Sequence, residues 1–204
     1  MQPRFSTLIG LTLLCSALLL PFAISAIYLP ALRDSDFKLH EIIRGDIYKQ
    51  ITGYLALAFV LMEMILTLRK RGRQFFIKVS LPGSMKFWRR LHIFAGVALL
   101  GLVLIHTAGA TGQNFNSSFL WVFFWVTLSA LVGVVAETGI LESSQQRFYF
   151  MPNHVQFFGK RWSGIPKGAL IKSLRSIWLS LHILLVSVFF VFLGFHIFLA
   201  YQFQ

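Results

Sequence analysis

The most constraining feature of this sequence is a series of five long apolar runs separated by polar segments. A helix needs roughly 20 apolar residues to cross a hydrocarbon layer of ~30 Å. Backbone amides in lipid must find their partners within the protein, so each run is predicted to be helical. We therefore expect an all-α integral membrane protein, a bundle of five transmembrane helices forming a single domain over residues 1–204. The predicted spans are about 5–28, 51–68, 91–110, 119–135 and 177–201.

The first run resembles a secretory signal peptide in its leucine-rich centre and in the small residues near its end. Its length nevertheless favours a retained span. Cys15 is the only cysteine, and Leu14 rather than a small residue precedes it, which argues against a lipoprotein cleavage site. A single cysteine also excludes an internal disulfide, a CxxC redox pair, a cysteine-ligated iron–sulfur cluster and c-type haem attachment.

The positive charges predict an orientation in the membrane. The net charge is +12, and the basic residues lie in the loops between spans, so we predict no nucleic-acid partner. Fifteen of the 19 Lys and Arg residues fall at the N-terminus and in the second and fourth loops, which places these segments in the cytoplasm and the C-terminus outside. The third and fifth spans then run in the same direction. We expect the location to be a bacterial inner membrane.

Two loops suggest contact with membrane lipid. The second loop, from Arg69 to Arg90, contains no acidic residue, which is typical of a topology determinant that touches anionic head groups. The fourth loop, 137–176, mixes basic and aromatic residues. It is predicted to lie on the cytoplasmic membrane surface, partly as an amphipathic helix.

Four of the six histidines lie inside predicted spans, His92 and His106 in the third and His182 and His196 in the fifth. Ionisable groups at membrane depth are rare and usually functional. The spacing is 14 residues in both spans. Fourteen steps of about 100° fall ~40° short of four turns and rise about 21 Å, so each helix presents two imidazoles on nearly one face.

The shared direction of the third and fifth spans brings these histidines to matching depths. Two neutral imidazoles can ligate the iron of one porphyrin from opposite sides. We therefore predict two haem b groups, His92 with His182 on the cytoplasmic side and His106 with His196 on the outer side. Purely structural histidines and a zinc or copper site are the alternatives. A bare metal ion gathers its ligands within a few ångströms, whereas these pairs are about four turns apart.

Other residues in and before the third span suit a haem pocket. Gly96 and Gly101 leave bare backbone where a macrocycle can pack closely. Lys86, Arg89 and Arg90 can neutralise the propionates of the cytoplasmic-side haem. These cations also fit the rule that cytoplasmic loops are rich in Lys and Arg, so they can bind propionates or simply set the orientation of the chain in the membrane.

The histidine frame reads WRRLH-x13-H in the third span and LH-x13-H in the fifth. It resembles the ferric-reductase-like dihaem transmembrane cytochromes, which include the membrane part of the NADPH oxidases. The segment from Trp88 through the stretch Ser129 to Gly133 also resembles small bacterial dihaem cytochrome b proteins. The resemblance covers roughly residues 88–201 and implies axial ligation by the four histidines. This sequence departs from the family pattern in two ways. In the oxidases the two histidines of the last pair are typically one residue closer together, and no flavin module or Gly-rich phosphate loop follows here.

These features predict a subunit of an oxidoreductase complex that carries electrons across the bilayer, between a quinone or protein donor and an acceptor on the other face. Direct reduction of ferric iron or oxygen at the outer haem is one alternative, and a haem-free transporter or assembly factor is another. A quinone site needs a proton-handling group, for which Glu63 is a candidate; its alternative role is pairing with a nearby Arg or Lys. His154 is a more distant candidate, and His40 is expected to be an ordinary loop residue.

Overall fold

The computed structural model describes residues 3–71, 83–112, 114–149 and 164–202, excluding the side chains of 66–71. The described chain is mainly helical, and four of its helices are long and apolar enough to cross a membrane. The protein is therefore an α-helical integral membrane protein. In chain order its elements are α1 (Phe5–Ala23), α2 (Ser25–Ser35), α3 (Phe37–Arg44), α4 (Asp46–Arg71), α5 (Met85–Thr107), α6 (Phe115–Glu142), β1 (Arg147–Phe148), β2 (Ile165–Pro166) and α7 (Lys167–Gln202).

The four candidate spans are α1, α5, α6 and α7. They contain most of the first, third, fourth and fifth predicted spans. The second predicted span, 51–68, is helical and lies within α4. Since α4 is not among the four candidates in the described part of the chain, the bundle of five spans stays a prediction.

The first apolar run is interrupted rather than continuous to residue 28. α1 ends at Ala23, and a new helix begins at Ser25 after Ile24 leaves the helical conformation. Pro21 lies in the last turn of α1, where it removes a backbone donor. The Ser25 hydroxyl donates to the carbonyl of Phe22 at 3.0 Å and so satisfies an acceptor at the helix end.

The connection between the first two predicted spans is helical. Asp36 separates α2 from α3, and its carboxylate accepts the backbone N–H of Leu39 at 2.9 Å. This is an N-cap, which supplies a partner for an N–H that the first helical turn leaves unpaired. His40, expected to be a loop residue, therefore lies in α3.

Local capping, rather than hydropathy, sets the ends of α5. The helix begins six residues before its predicted start, where the Ser84 hydroxyl accepts the N–H of Phe87 at 3.2 Å. It ends at Thr107 because Ala108 and Gly109 adopt positive φ angles of 50° and 71°. The N–H of Gly109 returns to the carbonyl of Leu104, as in left-handed helix terminations.

The helices α6 and α7 extend well beyond the predicted spans into the fourth loop. α7 has 36 residues and a length of about 54 Å, whereas the hydrocarbon layer is only ~30 Å thick. Between them, β1 and β2 form a two-residue antiparallel pair. Within the fourth loop, for which an amphipathic helix was predicted without exact bounds, residues 150–163, His154 among them, lie outside the described residues. The basic residues of 72–82 lie outside them as well.

The chain divides into two compact units. The N-terminal unit comprises Met1–Pro3 and Gly10–Ser117, and the C-terminal unit comprises Arg4–Ile9 and Ser118–Gln204. In the N-terminal unit, α4 packs against α5. In the C-terminal unit, side chains of α6 contact side chains of α7 along much of their length. Each unit thus contains one of the two histidine-bearing helices and a neighbour that contacts it.

Candidate functional site: four histidines on α5 and α7

His92, in the second turn of α5, lies against Glu63 of α4. The carboxylate Oε2 contacts Nδ1 of the imidazole, and the two side chains are 14% and 33% exposed for Glu63 and His92, respectively. Glu63 was expected to handle protons or to pair with Arg or Lys; its partner in the structure is a predicted haem ligand. The side chains of Arg69 and Lys70 lie outside the described residues.

His106, near the end of α5, meets α4 about four turns further along. Its Nδ1 lies 3.0 Å from the hydroxyl oxygen of Thr52. The backbone of Gly53 is so close that a Cβ there would lie 3.3 Å from Cε1 of the imidazole. The pairs Glu63–His92 and Thr52–His106 show that α4 and α5 are antiparallel, and that both histidines of α5 face α4.

The carboxyl end of α5, beside His106, is held by three side chains from the preceding helices. Tyr48 donates to the carbonyl of Ile105 at 2.8 Å, Lys49 donates to the carbonyl of His106, and Tyr28 donates to the carbonyl of Ala108. We call Tyr28, Tyr48 and Lys49 the α5 clamp. Burial and the nearby Arg44 lower the pKa of Lys49. The clamp satisfies carbonyls that a helix end leaves without partners.

Replacing Lys49 with methionine is expected to destabilise the protein by about 1.5–3 kcal/mol, the contribution of a hydrogen bond to a charged group. The apolar stem is retained, so the change isolates the ammonium group that caps the negative end of the α5 dipole. The measurement is the unfolding temperature in detergent. Lys38→Met on exposed α3 is the matched control, and equal unfolding temperatures for the two variants would contradict the role of Lys49.

His182 of α7 contacts α6 through a hydroxyl group. Its Nδ1 lies 2.9 Å from Oγ of Ser129. One turn earlier on α7, the indole of Trp178 covers Gly133 so closely that a Cβ on this glycine would lie 2.4–2.8 Å from three indole atoms. Gly133 is therefore required for the close approach that brings Ser129 within reach of His182.

His196, 14 residues further along α7, is packed against an aromatic ring of α6. The centroids of Phe119 and His196 are 5.2 Å apart with an interplanar angle of 31°. Phe119 also stacks on Phe189 at 5.4 Å, and Phe123 contacts Phe189 at 6.0 Å. The order of these contacts makes α6 and α7 antiparallel, and both histidines of α7 face α6.

An ion pair between a buried carboxylate and a half-exposed guanidinium joins α6 to α7. Glu137 of α6 is 1% exposed and accepts a hydrogen bond from the guanidinium of Arg175 on α7. A buried carboxylate is costly without a cationic partner. Glu137–Arg175, Gly133–Trp178 and Ser129–His182 therefore follow one another at intervals of about one turn, and they fix the register in which His182 is presented to α6.

The remaining predicted pocket residues all lie on α5. Gly96 is one turn after His92 on the same face, and a Cβ there would meet nothing within 4 Å among the described residues. Gly101 has similar open space, but it lies about 140° around the helix from His106. Lys86 and Arg90 are exposed and Arg89 is half-buried in the first two turns. Of these three cations, Arg89 is the one at the i, i+3 spacing that places it on the same face of α5 as His92.

Sequence reasoning missed the partners of the histidines, namely Thr52, Gly53, Ser129 and Phe119. Small and hydroxyl-bearing residues are enriched where membrane helices touch. The adjacent Thr52 and Gly53, and Ser129 four residues before Gly133, carry that signal. Hydropathy gives no register between helices, so the signal alone does not connect either hydroxyl to a particular histidine.

Among the described residues, no group of three or more His, Cys, Asp or Glu side chains forms a cluster that could hold a metal ion. A haem requires only two protein donors, one on each side of its iron. Comparisons of the chain with protein-family models, with curated proteins and with solved structures give no match. The similarity to dihaem cytochromes therefore rests on the histidine frame and stays a prediction.

Proposed function

We propose that this protein is a dihaem b-type cytochrome of the membrane, an electron-transfer subunit that connects a quinone or protein donor on one side to an acceptor on the other. The proposed ligands are His92 with His182 for the cytoplasmic-side haem and His106 with His196 for the outer haem. The proposed location is a bacterial inner membrane, with the N-terminus in the cytoplasm.

The observation that carries this proposal is the environment of Nδ1 in three of the four imidazoles. In His92, His106 and His182, this nitrogen faces a polar oxygen from the neighbouring helix of the same unit. Metal-ligating histidines usually engage their second ring nitrogen in this way, because the contact fixes the tautomer and the orientation of the ring. In the proposed sites, Nε2 would be the nitrogen that faces the iron in all three rings.

The chain's own residues would then bind, orient and insulate the cofactors. Glu63, Thr52 and Ser129 orient imidazoles, while Phe119 packs against the ring of His196. Gly96 leaves space for a flat group beside His92. Bound haem iron supplies one-electron redox chemistry, and the apolar helices around it supply the low-dielectric surroundings that tune its potential.

The charges on α5 and α7 support the proposed orientation. Lys86, Arg89 and Arg90 lie in the first two turns of α5, and Lys167, Lys172 and Arg175 lie in the first three turns of α7. After these turns, neither helix contains a Lys, Arg, Asp or Glu. By the positive-inside rule, both helices would begin at the cytoplasmic surface, with His92 and His182 nearer to it than His106 and His196.

The absorption spectrum of the purified protein tests the function. We expect sharp reduced-state bands of six-coordinate b-type haem, and about two haems per chain by the pyridine haemochrome assay. The protein should be expressed with haem supply and compared with a preparation from haem-deficient cells. A colourless protein that is folded by circular dichroism would overturn the proposal in favour of a haem-free transporter or assembly factor.

A further inference from the structure

We infer that Glu63 is a positioning residue that lowers the redox potential of the haem bound by His92, relative to the potential of the other haem. The inference rests on the proposed function. It goes further because it gives the two haems different potentials and assigns the difference to one carboxylate. It also gives electron transfer a preferred direction.

The first step is the contact itself. Glu63 projects from α4 towards α5, and its Oε2 lies against Nδ1 of His92. Oε1 and Oε2 of Glu63 and Nδ1 of His92 are all buried, and none of them has a partner that meets hydrogen-bond geometry within the described part of the chain. The negative charge of the carboxylate is therefore directed at the imidazole rather than shared among several donors.

The second step is the weak screening of this charge. The space beside the pair is a cavity of about 10 Å³ lined by Met62, Glu63, Trp88, Leu91, His92 and Ala95. Such a volume is about that of one water probe and is too small for a hydrated cation. A charge in these surroundings acts more strongly on its neighbour than it would in bulk water.

The third step is the effect on the iron. A carboxylate that accepts the Nδ1–H of a ligating imidazole makes the ring a stronger donor. The oxidised iron carries one more positive charge than the reduced iron, so a nearby anion stabilises the oxidised form. Glu63 is therefore expected to lower the potential of the haem on His92.

The fourth step is the contrast with the neighbouring histidines. Thr52 presents a neutral hydroxyl to His106, Ser129 presents one to His182, and Phe119 presents an apolar ring to His196. The pair His92 with His182 includes a carboxylate contact. Thr52 and Phe119 bring no negative charge to the rings of His106 and His196, and the charged group that contacts His106 is the Lys49 ammonium at its backbone carbonyl. A lower potential on the proposed cytoplasmic side favours movement of each electron outward.

Potentiometric titration of the haem absorption bands, with redox mediators and dithionite as the reductant, tests this inference. Glu63→Gln keeps the size of the side chain and removes its charge. We expect both haems to be retained. The midpoint potential of one haem should rise by about 59 mV, which makes its one-electron reduction about tenfold more favourable. The midpoint potential of the other haem should not change. Glu41→Gln, which removes an exposed charge on α3, is the control.

The variant His106→Ala shows which haem has the altered potential, because it should retain only the haem on His92. Adding Glu63→Gln to this variant should raise the single remaining potential. If Glu63→Gln does not accumulate, Glu63→Asp decides, since a shorter carboxylate withdrawn from Nδ1 should raise the same component. Titrations that superimpose on the wild type, or two components that move together, would overturn the inference while leaving the dihaem function intact. A wild-type protein without haem would instead overturn the proposed function.

Discussion

Replacement of His106 or His196 by alanine is expected to reduce the haem content from about two per chain to about one. Each change would remove one of the two proposed nitrogen ligands of the outer haem, and a porphyrin held by a single imidazole loses its six-coordinate reduced bands. His92→Ala and His182→Ala should remove the other haem with the same stoichiometry. The measurement is haem per chain by pyridine haemochrome, with reduced-minus-oxidised spectra to show which component is lost.

The control for these variants is His40→Ala, since His40 lies in the short helix α3 outside the candidate spans. It should retain two haems. Pairing is tested by the combinations: His106→Ala with His196→Ala should lose no more haem than either alone, whereas His106→Ala with His182→Ala should lose both. Loss of the same component from the His92 and His106 variants would contradict the proposed pairing.

Replacement of Gly133 by alanine is expected to destabilise the contact between α6 and α7 by about 1–3 kcal/mol, as overpacking of a close contact does. A Cβ at this position would lie 2.4–2.8 Å from the indole of Trp178, whose rigid ring cannot yield without moving α7. For a chain of this size, each kcal/mol corresponds to a fall of about 2–4 °C in unfolding temperature. Thermal unfolding of the detergent-solubilised protein measures the change.

Gly168→Ala, on α7, is the matched control because a Cβ there would meet nothing within 4 Å in the described chain. Alanine has the higher helix propensity, so this variant should be unchanged or slightly more stable. Trp178→Leu combined with Gly133→Ala should recover part of the loss. Equal stability of the Gly133 and Gly168 variants would show that the close approach of α6 and α7 is not required.

The sequence predicted the existence of the helices better than their ends. Apolar runs reveal where a chain can lie in lipid, and α1, α5, α6 and α7 are found at such runs. Helix ends depend on local chemistry instead, namely the Ser84 cap, the positive φ angles at Ala108 and Gly109, and the break at Ile24. α7 continues for ten residues before its predicted start because a helix can extend into water beyond the membrane surface.

For the candidate site, too, the sequence predicted some features and not others. The spacing of His92 and His106 predicted that both lie on one face of a helix, and both do face α4. That Glu63 is chemically unusual was also predictable, because a carboxylate within an apolar run is costly. Its contact with His92 was not, since the register between two helices depends on side-chain packing that a single sequence does not specify. For the same reason, the sequence alone does not show that Thr52 contacts His106 or that Ser129 contacts His182.

The α5 clamp has a consequence for cofactor loading. Hydrogen bonds from Tyr48, Lys49 and Tyr28 bind the last carbonyls of α5, so the protein's own side chains hold the final turn that carries His106. A ligand whose backbone is already fixed loses little conformational freedom when it captures iron. In the proposed outer haem site, one of the two ligands would therefore be preorganised before the haem binds.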